Sequence, residues 1–185
     1  MPAMSLSGTI ETSERAPNRI LSIVTIAGAS FRQGFDGSVG WTDDPENGVR
    51  EKSGAELSEA RREADFYHPL DLGKIYAKLS FVGQEKLGDR SAYVVEAMPD
   101  EGADADKLYF DTQTGLIARM VTTRHLPQGA SVLQEDFADF REVDGIKVPF
   151  TVRQSGGESE ITIRLEEVRH NVELSDTIFS KPATQ

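Results

Sequence analysis

The chain has 185 residues, a formal net charge of −11 and no cysteine. The charge argues against a nucleic-acid partner, because such proteins cluster Lys and Arg against phosphates and no basic stripe appears here. The absence of cysteine excludes disulfides, thiolate catalysis and Cys-ligated zinc or iron–sulfur centres.

At this length one domain with a sizeable core is expected without covalent staples. No run reaches the ~20 apolar residues that span a bilayer; Ile20–Ala29 is interrupted by Ser22 and Thr25. The opening MPAMSLSGTI has no basic segment followed by an apolar one, so no signal peptide is read there. A cytosolic protein and a mature or excised domain both fit.

Most of the chain reads as short β-type runs separated by turn dipeptides. Ser5–Thr12 and Asn18–Ala27 come first, with Pro17 between them, and Ser30–Phe35 then meets the tight-turn pair Asp36-Gly37. Trp41 lies just beyond. Ser53-Gly-Ala-Glu56 has the spacing of a capping box. Leu57, Ala60 and Ala64 follow at helical spacing, with Arg61 and Arg62 late in the segment, where the helix dipole favours cations. We read Gly54–Asp65 as an amphipathic helix stopped by Pro69, with a short second turn over Leu70–Tyr76.

Strands resume with Leu79–Glu85, Ser91–Met98, Lys107–Phe110, Leu116–Arg124, Ser131–Val143, Ile146–Gln154 and Glu158–His170. Their turns are Lys86–Asp89, the acidic Pro99–Asp104, Asp111–Gly115, Asp144-Gly145 and Gly156-Gly157. Gaps this short favour antiparallel hairpins, since parallel pairing needs crossovers of about a dozen residues. Tyr93, Val95 and Ala97 share one face of their strand, as Ile161, Ile163 and Leu165 do of theirs, the pattern of a sheet with one buried and one wet face. Mixed faces over Asp136–Arg141 predict a bulge or twist.

Chemistry is sparse. His68, His125 and His170 are isolated, and surface positions account for them. No G-x-S-x-G, P-loop or dinucleotide fingerprint occurs, and Gly34, Gly37 and Gly40 read as turn glycines. The acidic Asp100, Glu101, Asp104 and Asp106 lack the register of a calcium loop. No catalytic residue, metal or cofactor is therefore expected. An enzyme is the minor alternative, to be revived by a cleft pairing a His with a carboxylate.

What remains is apolar. Trp41, Phe66, Tyr67, Phe81, Tyr93, Phe110, Met120 and Phe150, with Leu57 and Val95, are either plain core or the lining of a gap between sheet and helix. Composition leaves both open. Trp41, Leu57, Phe66, Phe81, Tyr93, Val95, Phe110 and Met120 are the candidate ligand-binding set, because ligand sites are concave and largely apolar.

The motif order resembles the bacterial LolA/LolB/RseB-like superfamily, in its outer membrane lipoprotein-sorting branch. The likeness is carried by Gly34-Phe-Asp-Gly37 with Trp41 and Pro45, and by Gly83-Gln-Glu85 with Gly88-Asp-Arg-Ser-Ala-Tyr-Val-Val95. It continues through Tyr109-Phe-Asp-Thr-Gln-Thr-Gly-Leu116, Asp139-Phe-Arg-Glu-Val-Asp-Gly-Ile-Lys-Val-Pro-Phe150 and the ending Asn171 to Phe179 with Pro182. The resemblance spans nearly the whole chain.

It implies a mainly β (α+β) fold: an antiparallel, strongly curved open half-barrel of about ten strands around an apolar cavity, with a small helical lid. It also implies a non-catalytic envelope domain, periplasmic, binding a lipid or lipoprotein acyl chain. The alternative is an RseB-like protein-interaction or stress-sensor module, or an accessory domain of a larger envelope protein, with a filled core and a protein partner. Members usually begin with a helix, whereas Ser5–Thr12 reads here as strand. The arginine that serves acyl exchange in the carrier branch has no counterpart we can place, so no functional residue is carried over.

Overall fold

The computed structural model describes residues 6–67, 72–99, 104–126, 129–157 and 159–183. His68, Pro69, Leu70, Asp100 and Glu101 lie outside the described residues. The fold is mainly β, with two antiparallel sheets. The first has five strands in sequence order: β1 (Gly8–Arg15), β2 (Arg19–Ile26), β3 (Ala29–Phe35), β4 (Gly40–Asp44) and β5 (Gly48–Glu51). After helices α1 (Gly54–Glu63) and α2 (Leu72–Ile75), the chain builds a seven-stranded sheet. Its members are β6 (Tyr76–Leu87), β7 (Arg90–Pro99), β8 (Asp106–Asp111), β9 (Ile117–Leu126), β10 (Gly129–Val143), β11 (Ile146–Gly156) and β12 (Ser159–Arg164). Among the described residues neither sheet closes on itself.

The hairpins follow from turn chemistry. Asp144 and Gly145 take φ of 51° and 82°, the left-handed pair that a two-residue hairpin turn requires. At Asp36-Gly37 the Asp36 carboxylate accepts the backbone N–H groups of Ser38 and Val39 at 2.9 and 2.7 Å. At the β8–β9 turn Asp111 does the same for Gln113 and Thr114, at 3.0 and 2.9 Å.

Among the described residues twelve strands stand where about ten were expected. The additional pair is β4 and β5, too short and too close to Pro45 and Asn47-Gly48 to show a period. The final strand ends at Arg164, not His170, because alternation stops at Leu165 and Glu166-Glu167 offers no apolar face to bury. Along β10 and β11 the register is continuous and no residue is inserted, so the bulge or twist expected over Asp136–Arg141 is a local departure from strand conformation rather than a bulge. Asp139 alone leaves the ladder, at φ 53°, beside the pair Phe140–Pro149, where proline has no N–H to give. The helix begins at Gly54 as expected, but Ser53 makes no side-chain cap. Glu56 instead receives both terminal nitrogens of Arg50 at 2.8 and 2.9 Å, a bidentate charged pair that outcompetes a cap.

The contacts divide the chain into two compact units, Met1–Asp71 with Glu173–Gln185, and Leu72–Val172. In the first, α1 lies on the sheet face carrying Ile20, Phe35 and Gly40. Ala60 and Ala64 are buried against Phe35, with Ile20 and Leu57 packed around them. Small residues permit the approach: a Cβ on Gly40 would stand 3.1 Å from the Leu57 methyl. On the opposite face Trp41 lies flat across Gly34, where a Cβ would meet its ring at 2.6 Å. Gly34 and Gly40 are thus close-approach glycines within strands, and only Gly37 is a turn glycine, at φ 103°.

The C-terminal segment covers that Trp41 face. Phe179, in the 3-10 turn Asp176–Phe179, is fully buried, and its carbonyl accepts the Trp41 indole N–H at 2.8 Å. Asp176 pairs with Arg15 and Arg19, and Lys181 with Glu51.

Candidate functional site

In the second unit the strand register assembles an apolar field. Tyr93 faces Phe110, and Val95 faces Leu108 on β8 and Phe81 on β6. Leu108 in turn faces Met120 on β9, and Ala97 faces Leu79. Directly paired residues point to one side and alternate residues share a face, so Leu79, Phe81, Tyr93, Val95, Ala97, Leu108, Phe110 and Met120 all lie on one side of the sheet.

Coverage of this field is uneven. At one end Leu72 and Ile75 of α2 close over Tyr76, Ala97 and Leu108. At the other end Phe81 is 66% exposed and Tyr93 41%, their rings edge to face at 6.0 Å. A bulge in β6 between Phe81 and Gly83 sets the Phe81 ring beside Tyr93.

Two polar pairs frame the field. Beyond Met120 the same face carries Glu135, paired across the ladder with Met120 and Gln154, and Gln154 donates to its carboxylate at 2.7 Å. At the α2 end the ring of buried Tyr76 crosses the small, fully buried Ala97, and its hydroxyl donates to Asp106 Oδ2 at 2.8 Å. Burial pushes the Asp106 carboxyl above its ordinary range, and the Tyr76 hydrogen bond offsets this only in part. Burial also raises the Tyr76 hydroxyl, with its bond to Asp106 adding to the shift.

A carboxyl raised in the folded state contributes stability that is complete at acid pH and is lost as pH rises through the raised value. The stability difference between wild type and Asp106→Asn should therefore shrink from acid to neutral pH in urea titrations. A difference flat with pH would show that Asp106 titrates as in the unfolded chain. Asp111 behaves oppositely: the N–H groups of Thr114 and Gln113 hold its carboxyl below the ordinary range, so its contribution is lost on acidification.

Of the eight candidates, Phe81, Tyr93, Val95, Phe110 and Met120 are brought together on this one face. Trp41, Leu57 and Phe66 belong to the first unit. There Trp41 is buried beneath Phe179, on the face opposite Leu57. Phe66 is partly exposed, its ring 5.4 Å from Tyr67. Phe150 is buried in the second unit under the Arg141 guanidinium, 4.3 Å from the ring centre. His170 stands 3.1 Å from Asp144 at a hairpin turn.

The hollow beside α1, lined by Ile20, Ser22, Gln33 and Ala60, measures about 10 Å³, space for a single water at most. A second depression of about 240 Å³ on the same unit is lined by Val24 and Phe31, but also by Thr42, Asp44 and Arg50. It falls short of the ~300 Å³ at which ligand pockets begin. Leu79, Tyr76 and Asp106 were not among the candidate site residues, Asp106 having been read only with the acidic loop before it. Alternation along Asp106-Lys107-Leu108-Tyr109-Phe110 places Asp106 beside two apolar neighbours, but its tyrosine partner lies thirty residues upstream.

No family model and no curated relative matches the chain. Solved structures do, and what they share with this chain is the fold. A DUF1329 family protein from Desulfovibrio piger superposes with a TM-score of 0.61 at 18% identity, covering 96% of this chain and 82% of that one. An outer membrane lipoprotein-sorting protein domain from Vibrio parahaemolyticus gives 0.58 at 14% identity, covering 95% and 82%. A LolA superfamily protein from Nitrosomonas europaea gives 0.52 at 14% identity, covering 98% and 92%.

Proposed function

We propose that this chain is a non-catalytic binding domain of the cell envelope, holding a lipid or the acyl chain of a lipoprotein against the apolar face of β6–β9. One observation carries the reading. Phe81 and Tyr93 stand exposed at the open end of a continuous apolar field whose far end is closed by α2. An exposed aromatic pair on a contiguous apolar face marks an interaction surface. The lipoprotein-sorting and LolA superfamily proteins that share the fold support the ligand class and the periplasmic setting.

The test is a lipophilic fluorescent dye displaced by fatty acids of increasing length. Each added methylene buried on the face should contribute ~0.8 kcal/mol, about fourfold in affinity. Affinity independent of chain length, or no dye binding at all, would remove the reading. A protein partner captured in its place would turn attention to an interaction module.

A further inference from the structure

The larger depression on the first unit is polar in an ordered way. Ser22, Gln33, Thr42 and Arg50 face one another directly across β2 to β5, so they form one row on one side of the sheet. Val24 and Phe31 pair in the neighbouring row, two residues along their strands and hence on the same side. All six line the depression of about 240 Å³. Ser22 is 8% exposed and Phe31 43%, which sets the serine on the floor and the aromatic ring at the rim. The Thr42 hydroxyl oxygen is buried with no hydrogen-bond partner among the described residues, a cost that a bound hydroxyl relieves. Its cross-strand neighbours Gln33 and Arg50 are exposed, and they are the side chains that part to admit one.

The charges around the depression cancel internally. Arg32 pairs with Asp43 and Arg50 with Glu56, while the Asp44 carboxylate accepts the N–H groups of Glu46 and Asn47 at 2.9 and 2.8 Å. A phosphate would have to displace a carboxylate, and an ammonium an arginine. Hydroxyl side chains both donate and accept, and the Gln33 amide does so through its two ends, which matches the hydroxyls of a sugar. We infer that this depression is a second binding site, for a neutral sugar ring with its hydroxyls on the row from Ser22 to Arg50 and its C–H face on Phe31 and Val24. Such a ring is smaller than the ligands that need ~300 Å³. The inference does not depend on the apolar face of β6–β9.

The probes are the methyl glycosides of glucose, galactose and mannose, titrated into the isotope-labelled full chain and followed by amide NMR shifts. At least one should saturate in the millimolar range expected of a small ligand in an open site, with shifts confined to amides around Ser22, Phe31 and Thr42. The charged analogues glucuronate and glucosamine should bind more weakly, and cyclohexanol, a ring without the set of hydroxyls, should not bind there. Phe31→Ala and Thr42→Val should each weaken binding about fivefold. Thr42→Val deletes only the orphaned hydroxyl, so its spectrum should remain that of a folded chain. The octyl glycoside of the sugar that binds, kept below its micelle concentration, separates two sources of the ring. Tighter binding than the methyl glycoside at the same amides assigns the ring to a glycolipid, and equal binding assigns it to a free saccharide.

Absence of shifts at these amides with all three methyl glycosides overturns the inference. Tighter binding of a charged analogue overturns it too, as does equal binding of cyclohexanol. Affinity unchanged in either folded variant places the sugar elsewhere and has the same consequence.

Discussion

Phe179→Ala is expected to cost the fold ~3–5 kcal/mol, the range for deleting a fully buried aromatic side chain. Small domains hold only about 5–15 kcal/mol in all, so this one change should remove a large share of the stability. The reason lies in what Phe179 covers. Its ring is fully buried, and its carbonyl is the acceptor for the indole N–H of Trp41, itself 1% exposed. Losing the ring opens a cavity and loosens the segment that satisfies the indole.

Trp41 is the chain's single tryptophan, so its fluorescence reports the event directly. Emission should shift to the red under native conditions and the urea midpoint should fall. Asp176→Asn should matter far less, because its pairs with Arg15 and Arg19 are exposed and screened by solvent. Wild-type emission and an unchanged midpoint in Phe179→Ala would mean that the C-terminal segment does not seal Trp41.

Phe81→Asp should behave in the opposite way. Phe81 is 66% exposed, and surface substitutions of this kind change stability by only about 0.5 kcal/mol. Its expected effect is on binding. Covering a Phe side chain contributes about 1.5–3 kcal/mol, so affinity for an acyl probe should drop about 10–100-fold. Val132→Asp is the matched control. Val132 is 57% exposed on β10, three residues from Glu135 and hence on the other side of the sheet, so acyl affinity should be unchanged. Equal losses in both variants would show that binding, if any, is not confined to the face that carries Phe81.

These two residues show how far the sequence could be read. Asp36-Gly37, Asp111–Gly115 and Asp144-Gly145 announce their hairpins because positive φ and Asx hydrogen bonds are local chemistry. Helix α1 was legible from Leu57, Ala60 and Ala64, which are spaced for one face and do pack on one face. Its cap was not. Glu56 stands at capping distance in sequence but finds Arg50, a strand residue, in space. Tyr93 and Val95 could be assigned to one face from alternation alone. That Phe81, Phe110 and Met120 join them depends on pairing register across four strands, and register is absent from any single strand's pattern.

By itself, then, the sequence determined an antiparallel β chain with one inserted helix, and an aromatic-rich apolar set left open between plain core and the lining of a gap. Turns, alternation and helical spacing are encoded within a few residues of one another. Only the tertiary structure decided which apolar residues are core and which are surface. Trp41 became core because a segment some 138 residues later supplies its acceptor, and Phe81, 66% exposed, stands on a bulged strand with its ring against Tyr93. The same holds for Asp106, whose place among hydrocarbon neighbours is set by Tyr76 reaching across Ala97. Burial depends on contacts distant in the chain, and no local pattern carries them.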